Sequence, residues 1–334
     1  MAMPRPPPDL VDDAIAEILI RVSPDEPADL VRASLVCKLW RRLLSDPAFL
    51  SRYRRFHRTP PLFGFFHDVG RVQTNPGFVP TTAASPFHQS ALQCHPCLVF
   101  DCRHGRVLLR IVGTDRFVVW DPITGHREEL RIPCIGDPLF SAAVLCAASD
   151  CDHRDCHGGP FTVVYAGTDV GGDGFPYAYV YSSETSAWST PVSVHIGSYS
   201  NIDDRGVLVG DEIHFILPSA FKILKYNLQN HCLSVIDQPD PDLYYESVIL
   251  MPTEDGYLGF AGILGSSLYL WSRKGADFIF MGTDVGAFTM ELKSGRARKI
   301  SEAKIFYFVV PFMTFCTPDS DCVKGKLLVH GEAH

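Results

Sequence analysis

The strongest helical periodicity in the chain belongs to the stretch Leu30-Val31-Arg32-Ala33-Ser34-Leu35-Val36-Cys37-Lys38-Leu39-Trp40-Arg41-Arg42-Leu43-Leu44. Apolar and small side chains recur in it every three or four residues, which predicts one helix with an apolar face. A unit of about fifty residues has little interior in which to bury so much apolar surface. We therefore expect this face to pack against something outside its own module, either another protein or the rest of the chain.

Two shorter helical patterns flank this stretch. Before it, two aspartates open a pattern of apolar residues at helical spacing, Ile15, Ile18, Leu19 and Val22, and Ser23-Pro24 ends that helix. After it, Asp46-Pro47 supplies a cap and a first-turn proline, and aromatic residues follow at helical spacing as far as Phe56. The sequence predicts a three-helix module over residues 9–58, behind a disordered tail at 1–8.

The composition is that of an ordinary soluble globular protein. Of 334 residues, 46% are hydrophobic and 20% charged. No apolar run reaches the roughly 18 to 20 residues that cross a bilayer, and the first residues lack the apolar core of a signal peptide. The cysteine count is eleven, an odd number, which disfavours an oxidised secreted scaffold. We expect no membrane association and a cytoplasmic or nuclear location.

The net charge of −8 is unevenly distributed. Residues 1–58 carry ten Lys or Arg against eight Asp or Glu, a balance of +2, which leaves −10 for the remainder. Nucleic-acid affinity comes mainly from basic side chains that neutralise phosphates. The acidic remainder therefore argues against a nucleic-acid partner and favours a protein or small-molecule partner.

From residue 91 onward, short apolar segments alternate with turn residues about every ten positions. The predicted strands are Cys97–Phe100, Val107–Val112, Phe117–Trp120, Phe161–Tyr165, Tyr177–Tyr181, Ile213–Leu217, Lys222–Tyr226 and Leu233–Ile236. Such spacing is typical of an antiparallel sandwich, barrel or propeller. Residues 59–90, rich in Pro, Thr, Ser and Phe, are expected to form an irregular packed connector.

A repeat favours the propeller for residues 91–334. An aromatic residue followed by a polar turn occurs at Trp120, Tyr181, Tyr226 and Trp271, at intervals of 61, 45 and 45 residues. Periods of 40 to 50 residues, with about four strands each, are typical of propeller blades. The next such turn, at Glu291, comes only 20 residues after Trp271. About two strands are therefore expected to be missing from one blade.

The N-terminal pattern resembles a known module. Its motifs are Glu17-Ile18-Leu19, Leu30-Val31-Arg32-Ala33-Ser34-Leu35-Val36-Cys37, Trp40-Arg41-Arg42-Leu43 and Asp46-Pro47-Ala48-Phe49. They resemble an F-box, and in particular the F-box proteins of grasses that carry an F-box-associated β domain. Two positions depart from that pattern, because Val11 and Ser23 stand where the family usually has proline.

The resemblance implies binding to the Skp-type adaptor of a cullin-based ubiquitin ligase and, through that adaptor, to the cullin and RING subunits. The family's adaptor-contacting positions correspond to Leu10, Ile15, Ile18, Leu19, Val22, Leu30, Val36, Cys37, Trp40 and Leu43. It further implies that the β domain holds a protein substrate. The loops expected to do so are Asp150–Pro160, Thr168–Pro176 and Gln238–Tyr244.

Three alternatives stay open at this point. The helices could be a cap on the β domain. The protein could bind an adaptor without ligase output, or be a decayed member of the family. The propeller could host a hydrolase or oxidase. The sequence has no nucleophile elbow, P-loop or dinucleotide fingerprint, so we expect a non-catalytic protein. Substrate identity cannot be read from fold and motif.

One segment is dense in potential metal ligands. Cys151, His153, Cys156 and His157 lie together, close behind Cys146, and Cys94-His95-Pro96-Cys97 lies upstream. Structural zinc sites usually show two ligand pairs separated by 12 to 20 residues, and no second pair has that spacing here. We therefore expect a surface loop with reduced thiols, without metal or cofactor, and take these four residues as the candidates if a metal binds.

Overall fold

The computed structural model describes residues 12–68, 76–81, 96–133, 140–149, 151–154, 156–169, 175–197, 200–202, 205–238, 247–253, 256–264, 267–270, 278–283, 286–291, 296–301 and 308–317. Leu10, the tail at 1–8 and the turn residue Trp271 lie outside these ranges. A helical module leads into a propeller-like β domain, which confirms the predicted fold class. None of the helices in the described ranges combines the length and the apolar character needed to cross a bilayer.

The described part of the helical module contains four helices: α1 Asp12–Leu19, α2 Pro27–Val36, α3 Lys38–Leu44 and α4 Pro47–His57. The predicted single helix over residues 30–44 is wrong, because Cys37 adopts an extended conformation with φ −159° and ψ 167°. An extended residue interrupts the helical hydrogen bonds, so α3 starts afresh. The predicted cap of α4 is present, since the Asp46 carboxylate accepts a hydrogen bond from the Ala48 N–H at 2.8 Å.

The core of this module includes a residue from the far end of the chain. Leu19, Leu30, Leu44 and Tyr53 are buried together, and Phe315, which follows the last strand, packs among them. The rings of Tyr53 and Phe315 meet edge-on with their centroids 6.3 Å apart. Part of the apolar surface of the helices is thus covered by the β domain.

The described strands of the β domain form six antiparallel sheets. The first comprises β1 Leu62–Asp68, β2 Gly77–Pro80 and β22 Phe308–Met313; the second, β3 Cys97–Arg103, β4 Arg106–Ile111, β5 Arg116–Trp120 and β6 Arg127–Arg131. The third comprises β7 Phe140–Cys146, β8 Phe161–Thr168, β9 Pro176–Ser182, β10 Ala187–Trp188 and β11 Val192–Ser193. The fourth comprises β12 Val207–Val209, β13 Glu212–Leu217, β14 Lys222–Asn227 and β15 Cys232–Asp237; the fifth, β16 Ser247–Pro252, β17 Leu258–Leu264 and β18 Ser267–Leu270; the sixth, β19 Phe278–Thr283, β20 Gly286–Glu291 and β21 Ala297–Ser301.

The first five sheets pack face to face in sequence order. Trp120 lies in a core between the first and second sheets, Tyr165 between the second and third, Phe215 between the third and fourth, and Phe260 between the fourth and fifth. All eight predicted strands are present within these sheets. The second, third and fourth sheets are thus buried on both faces by their neighbours, which is the packing of propeller blades.

The first sheet joins the two ends of the β domain. Strand β22 pairs antiparallel with β1, with Val310 opposite Phe66 and Met313 opposite Leu62. Residues 62–68 and 77–80 are therefore strands, and the predicted irregular connector is wrong there. They form strands because Phe63 and Phe66 fill the core against the second sheet, while the pairing partner lies more than two hundred residues away.

Three of the described sheets, the first, fifth and sixth, have three strands each, whereas the second and fourth have four. In the second and fourth sheets the aromatic residue of the repeat ends or nearly ends the third strand, β5 or β14, and a fourth strand follows. In the fifth sheet the third strand, β18, is the last described. In the sixth sheet Glu291 ends the second strand, β20. Residues 271–277 and 292–295 lie outside the described ranges, so the predicted loss of about two strands from one blade stays a prediction.

Candidate functional site

The helical module leaves several large apolar side chains in solvent. Ile18 on α1 is 54% exposed, and Leu35 and Val36 at the end of α2 are 76% and 64% exposed. Cys37, the extended residue that separates α2 from α3, is exposed as well. Large apolar side chains that stay exposed on a folded module are typical of surfaces that bind another protein.

The predicted adaptor-contacting residues divide into three groups by burial. Ile18, Val36 and Cys37 are exposed, while Val22, Trp40 and Leu43 are half-buried against the helical core. Ile15, Leu19 and Leu30 lie inside that core, and Leu10 is outside the described residues. In this conformation only the first two groups can touch a partner, and the third supports them from below.

Leu35 is an exposed residue that the sequence reasoning did not select. It is the most exposed large apolar residue of the described part of the module. The signal was present in the periodicity, because Leu30 and Ser34 mark the buried stripe of α2 and Leu35 falls off it. An apolar residue on the polar face of a surface helix therefore marks a candidate contact residue.

The connections between strands lie at two opposite ends of the sheets, because successive strands run antiparallel. At one end, the β3–β4 turn and the β7–β8 loop lie beside Thr314, and the next residue, Phe315, packs in the helical core; we call this the helix-side end. His157 of the β7–β8 loop contacts Thr314 there, with Nε2 3.0 Å from Oγ1. At the far end, the Thr168 hydroxyl donates to the Ser200 carbonyl at 2.8 Å, and the Ala220 N–H donates to the Ser200 hydroxyl at 3.3 Å.

This arrangement separates the three loops that were predicted to bind substrate. The segment 150–160 belongs to the β7–β8 loop at the helix-side end. The strand ends that flank Thr168–Pro176 and Gln238–Tyr244 lie at the far end, where the Gln238 N–H donates to the Phe221 carbonyl at 3.2 Å. Residues 170–174 and 239–246 themselves are outside the described part. Two of the predicted loops thus share one face, and the third lies on the other.

The β7–β8 loop brings four potential metal ligands together. The ligand atoms of Cys146, Cys151, His153 and Cys156 all lie within 4.8 Å of one another. The sulfurs of Cys151 and Cys156 are 3.6 Å apart, and the Cys156 sulfur is 3.8 Å from Nδ1 of His153. Cys151, His153 and Cys156 were among the predicted candidates. Cys146, the last residue of β7, is the fourth member of the cluster.

His157, the remaining predicted candidate, lies apart from this cluster. Its Nδ1 is 2.7 Å from the Asp121 carboxylate, and its Nε2 contacts Thr314. Burial alone would raise the pKa of Asp121, but hydrogen bonds from His157 and from the N–H groups of Thr124 and Ile123 hold it below its usual value. His157 therefore ties the β7–β8 loop to the β5–β6 turn and to the segment after β22.

Burial is uneven across the cluster, because Cys156 is buried, Cys146 and Cys151 are half-buried, and His153 is exposed. Burial, together with the neighbouring Cys146 and Cys151 thiols, raises the pKa of Cys156. Burial is also the main reason why the pKa of His104 falls to about 3, and nearby His153 adds to that effect. A cavity of about 230 Å³ borders the cluster, lined among others by Pro60, His104, His153 and Thr314. It lies beside Pro60, in the link between α4 and β1, and beside Thr314, which precedes Phe315.

A buried carboxylate on an inner strand has a structural explanation. Asp101 of β3 accepts a hydrogen bond from the Val144 N–H of β7 at 3.0 Å and lies 3.4 Å from Nε of Arg103. Arg103 in turn donates to the Gly206 carbonyl, just before β12. Burial raises the pKa of Asp101, and the cations Arg103 and Arg205 oppose that shift. These contacts join the second, third and fourth sheets.

Comparison with known proteins gives a family match for the helical module. Residues 7–52 match the F-box domain, a span that overlaps the predicted module at 9–58. A protein of Arabidopsis thaliana named Putative F-box protein At3g16210 is 26% identical over 229 residues, covering 66% of this chain and 58% of its own length. The chain thus spans under two thirds of that relative.

Solved structures show only distant similarity. A chain of the Mitotic Checkpoint Complex gives a TM-score of 0.37 with 11% identity over 69% of both chains. A putative 6-phosphogluconolactonase of Bacteroides fragilis gives a TM-score of 0.33 with 13% identity, covering 62% of this chain and 67% of that one. Similarities of this size support no functional assignment.

Proposed function

We propose that this protein is the substrate-recognition subunit of a Skp–cullin–F-box ubiquitin ligase. The observation that carries the proposal is the coincidence of two features in one segment. Residues 7–52 match the F-box domain, and the same segment exposes Ile18, Leu35 and Val36. A module of this family with uncovered apolar side chains is suited to dock on the adaptor subunit.

The proposed adaptor contact uses the exposed and half-buried residues of the predicted set. Ile18, Val36 and Cys37 would touch the adaptor directly, and Trp40 and Leu43 would contribute their accessible edges. Ile15, Leu19 and Leu30 would act through the core that fixes the positions of the helices. Lys38, Arg41 and Arg42 of α3 are exposed beside this surface, so an adaptor surface with acidic groups at its rim would complement it.

In this proposal the protein acts without an active site. The helical module binds the adaptor, which places the β domain at a fixed distance from the ubiquitin-charged enzyme held by the cullin and RING subunits. A substrate bound to the β domain then reacts at a high effective concentration. The far end of the sheets, with the loops at Thr168–Pro176 and Gln238–Tyr244, is the proposed substrate surface, because at the helix-side end the chain enters the helical core through Phe315.

The test is co-purification of the full chain with a Skp-type adaptor and cullin. We expect the double variant Leu35→Asp, Val36→Asp to lose adaptor binding by roughly tenfold or more, since each buried apolar contact is worth about 1.5–3 kcal/mol. Tyr257→Asp is the matched control, because Tyr257 is 72% exposed on the β16–β17 turn of the fifth sheet. Unchanged binding of a folded double variant would refute the proposal.

The same double variant offers a route to the substrate. With the proteasome inhibited, proteins are co-purified with the double variant and with the wild type. Those enriched with the variant are the proteins that the β domain binds but does not deliver to the ligase. This variant is preferable to deletion of the module, since deletion would uncover Phe315. We further propose that the protein acts in the cytoplasm, the nucleus or both, which a fluorescent fusion would test by imaging.

A further inference from the structure

The β7–β8 loop holds a ligand set that neither the family match nor the relative explains. We propose that Cys146, Cys151, His153 and Cys156 bind one structural zinc ion. Three thiolates and one imidazole are a common complement of closed, four-coordinate zinc sites. Their ligand atoms already lie within 4.8 Å of one another, although they come from a strand end and a loop.

The distances fit a tetrahedral zinc centre better than a disulfide. With zinc–sulfur bonds of about 2.3 Å, two thiolates on the same tetrahedron lie about 3.8 Å apart, and a thiolate and an imidazole nitrogen lie about 3.5 Å apart. The observed separations are 3.6 Å between Cys151 and Cys156 and 3.8 Å between Cys156 and His153. A disulfide would require sulfurs about 2.0 Å apart.

Neighbouring groups support the ligands. The backbone N–H of His153 donates a hydrogen bond to the Cys151 sulfur at 3.4 Å, and hydrogen bonds of this kind stabilise a thiolate. The His104 ring stacks on His153 with centroids 4.3 Å apart and 13° between planes, and its Nδ1 accepts the Cys146 N–H at 3.0 Å. His153 has a left-handed backbone with φ 58°, a conformation that a non-glycine residue holds only when its surroundings fix it.

The position of the site indicates what the ion would do. It closes the loop between β7 and β8 on itself, and His157, the next residue after Cys156, reaches Asp121 and Thr314. Thr314 precedes Phe315, which lies in the helical core. Zinc would therefore stiffen the junction between the module and the β domain, and its removal would loosen the Thr314 contact.

The experiment measures zinc in the purified full-length protein by mass spectrometry and by competition with a chromogenic chelator. We expect about one zinc per chain, with affinity reduced roughly tenfold or more in His153→Ala and Cys156→Ser. Two variants serve as matched controls. His157→Gln removes a neighbouring histidine outside the cluster, and Cys232→Ser removes an exposed thiol of β15, so both should bind zinc like the wild type.

Cobalt replacement and thiol counting give independent readings. Cobalt in the wild type should show tetrahedral visible bands with sulfur-to-metal charge transfer, and His153→Ala should change them. Under denaturing conditions with chelator, all eleven cysteines should react. The proposal is overturned by nine reactive thiols, which would indicate a disulfide, by absence of binding at about micromolar free zinc, or by equal loss in His157→Gln and His153→Ala.

Discussion

Phe315 is the residue through which the β domain stabilises the helical module, and its removal gives a sharp prediction. Its side chain is 2% exposed and meets Tyr53 edge-on. Truncation of a buried phenylalanine to alanine costs about 3–5 kcal/mol. A module as small as residues 12–57 has little stability of its own. We therefore expect Phe315→Ala to unfold the helices at conditions in which the sheets persist.

The assay is urea denaturation followed by far-ultraviolet circular dichroism for the helices and by limited proteolysis after the basic residues of α3 and α4. The wild type should lose helices and sheets together, and the variant should lose helices first. Phe260→Ala is the matched control, because Phe260 is 3% exposed in the core between the fourth and fifth sheets. The reasoning fails if Phe315→Ala protects its helices as well as the wild type does.

Three further changes test other parts of the fold. Asp46→Ala removes the cap of α4 and should cost about 1 kcal/mol in urea denaturation, with Asp46→Asn largely retaining it. Gly64→Ala would place a Cβ 2.3 Å from the Val79 carbonyl oxygen and should lower the free energy of unfolding by about 2 kcal/mol or more. Gly113→Ala is the control, because the space around Gly113 is open and only the backbone penalty of about 1 kcal/mol should remain. Equal losses in the two variants would contradict the packing argument. Burial raises the pKa of Tyr226 to about 12, so its contribution to stability is complete below pH 10 and is lost between pH 10 and 12 as the unfolded tyrosine ionises first. At pH 11 the advantage of the wild type over Tyr226→Phe should be smaller than at pH 9 by about 1.4 kcal/mol, and an advantage independent of pH would refute the shift.

Local patterns predicted the elements whose partners are near in sequence. Eight strands between β3 and β15 were predicted, namely β3, β4, β5, β8, β9, β13, β14 and β15, and each pairs with a neighbour along the chain. Strands β6, β7, β10 to β12 and β16 to β21 were not predicted. Strand β1 was missed because its partner β22 lies at the other end of the chain, and β2, whose described partner is β1, was missed with it. The break at Cys37 was missed because no proline or glycine marks it.

The candidate site shows the same division. Membership of Cys151, His153 and Cys156 could be read from their proximity in sequence. The choice between Cys146 and His157 could not, because it depends on where β7 ends and on the Asp121 and Thr314 contacts that draw His157 away. Sequence spacing alone also suggested no paired zinc motif, since three ligands come from one short loop and the fourth from a strand end.

The contact between Tyr53 and Phe315 also has a consequence for synthesis. During translation the helical module emerges first, yet one of its core side chains, like the strand β22 that completes the first sheet, is made more than two hundred residues later. A nascent or truncated chain would therefore display helices without their full packing. The apolar surface at Leu35 and Val36 would therefore be held in a fixed conformation only after the β domain has been synthesised. Partner binding would then favour full-length chains.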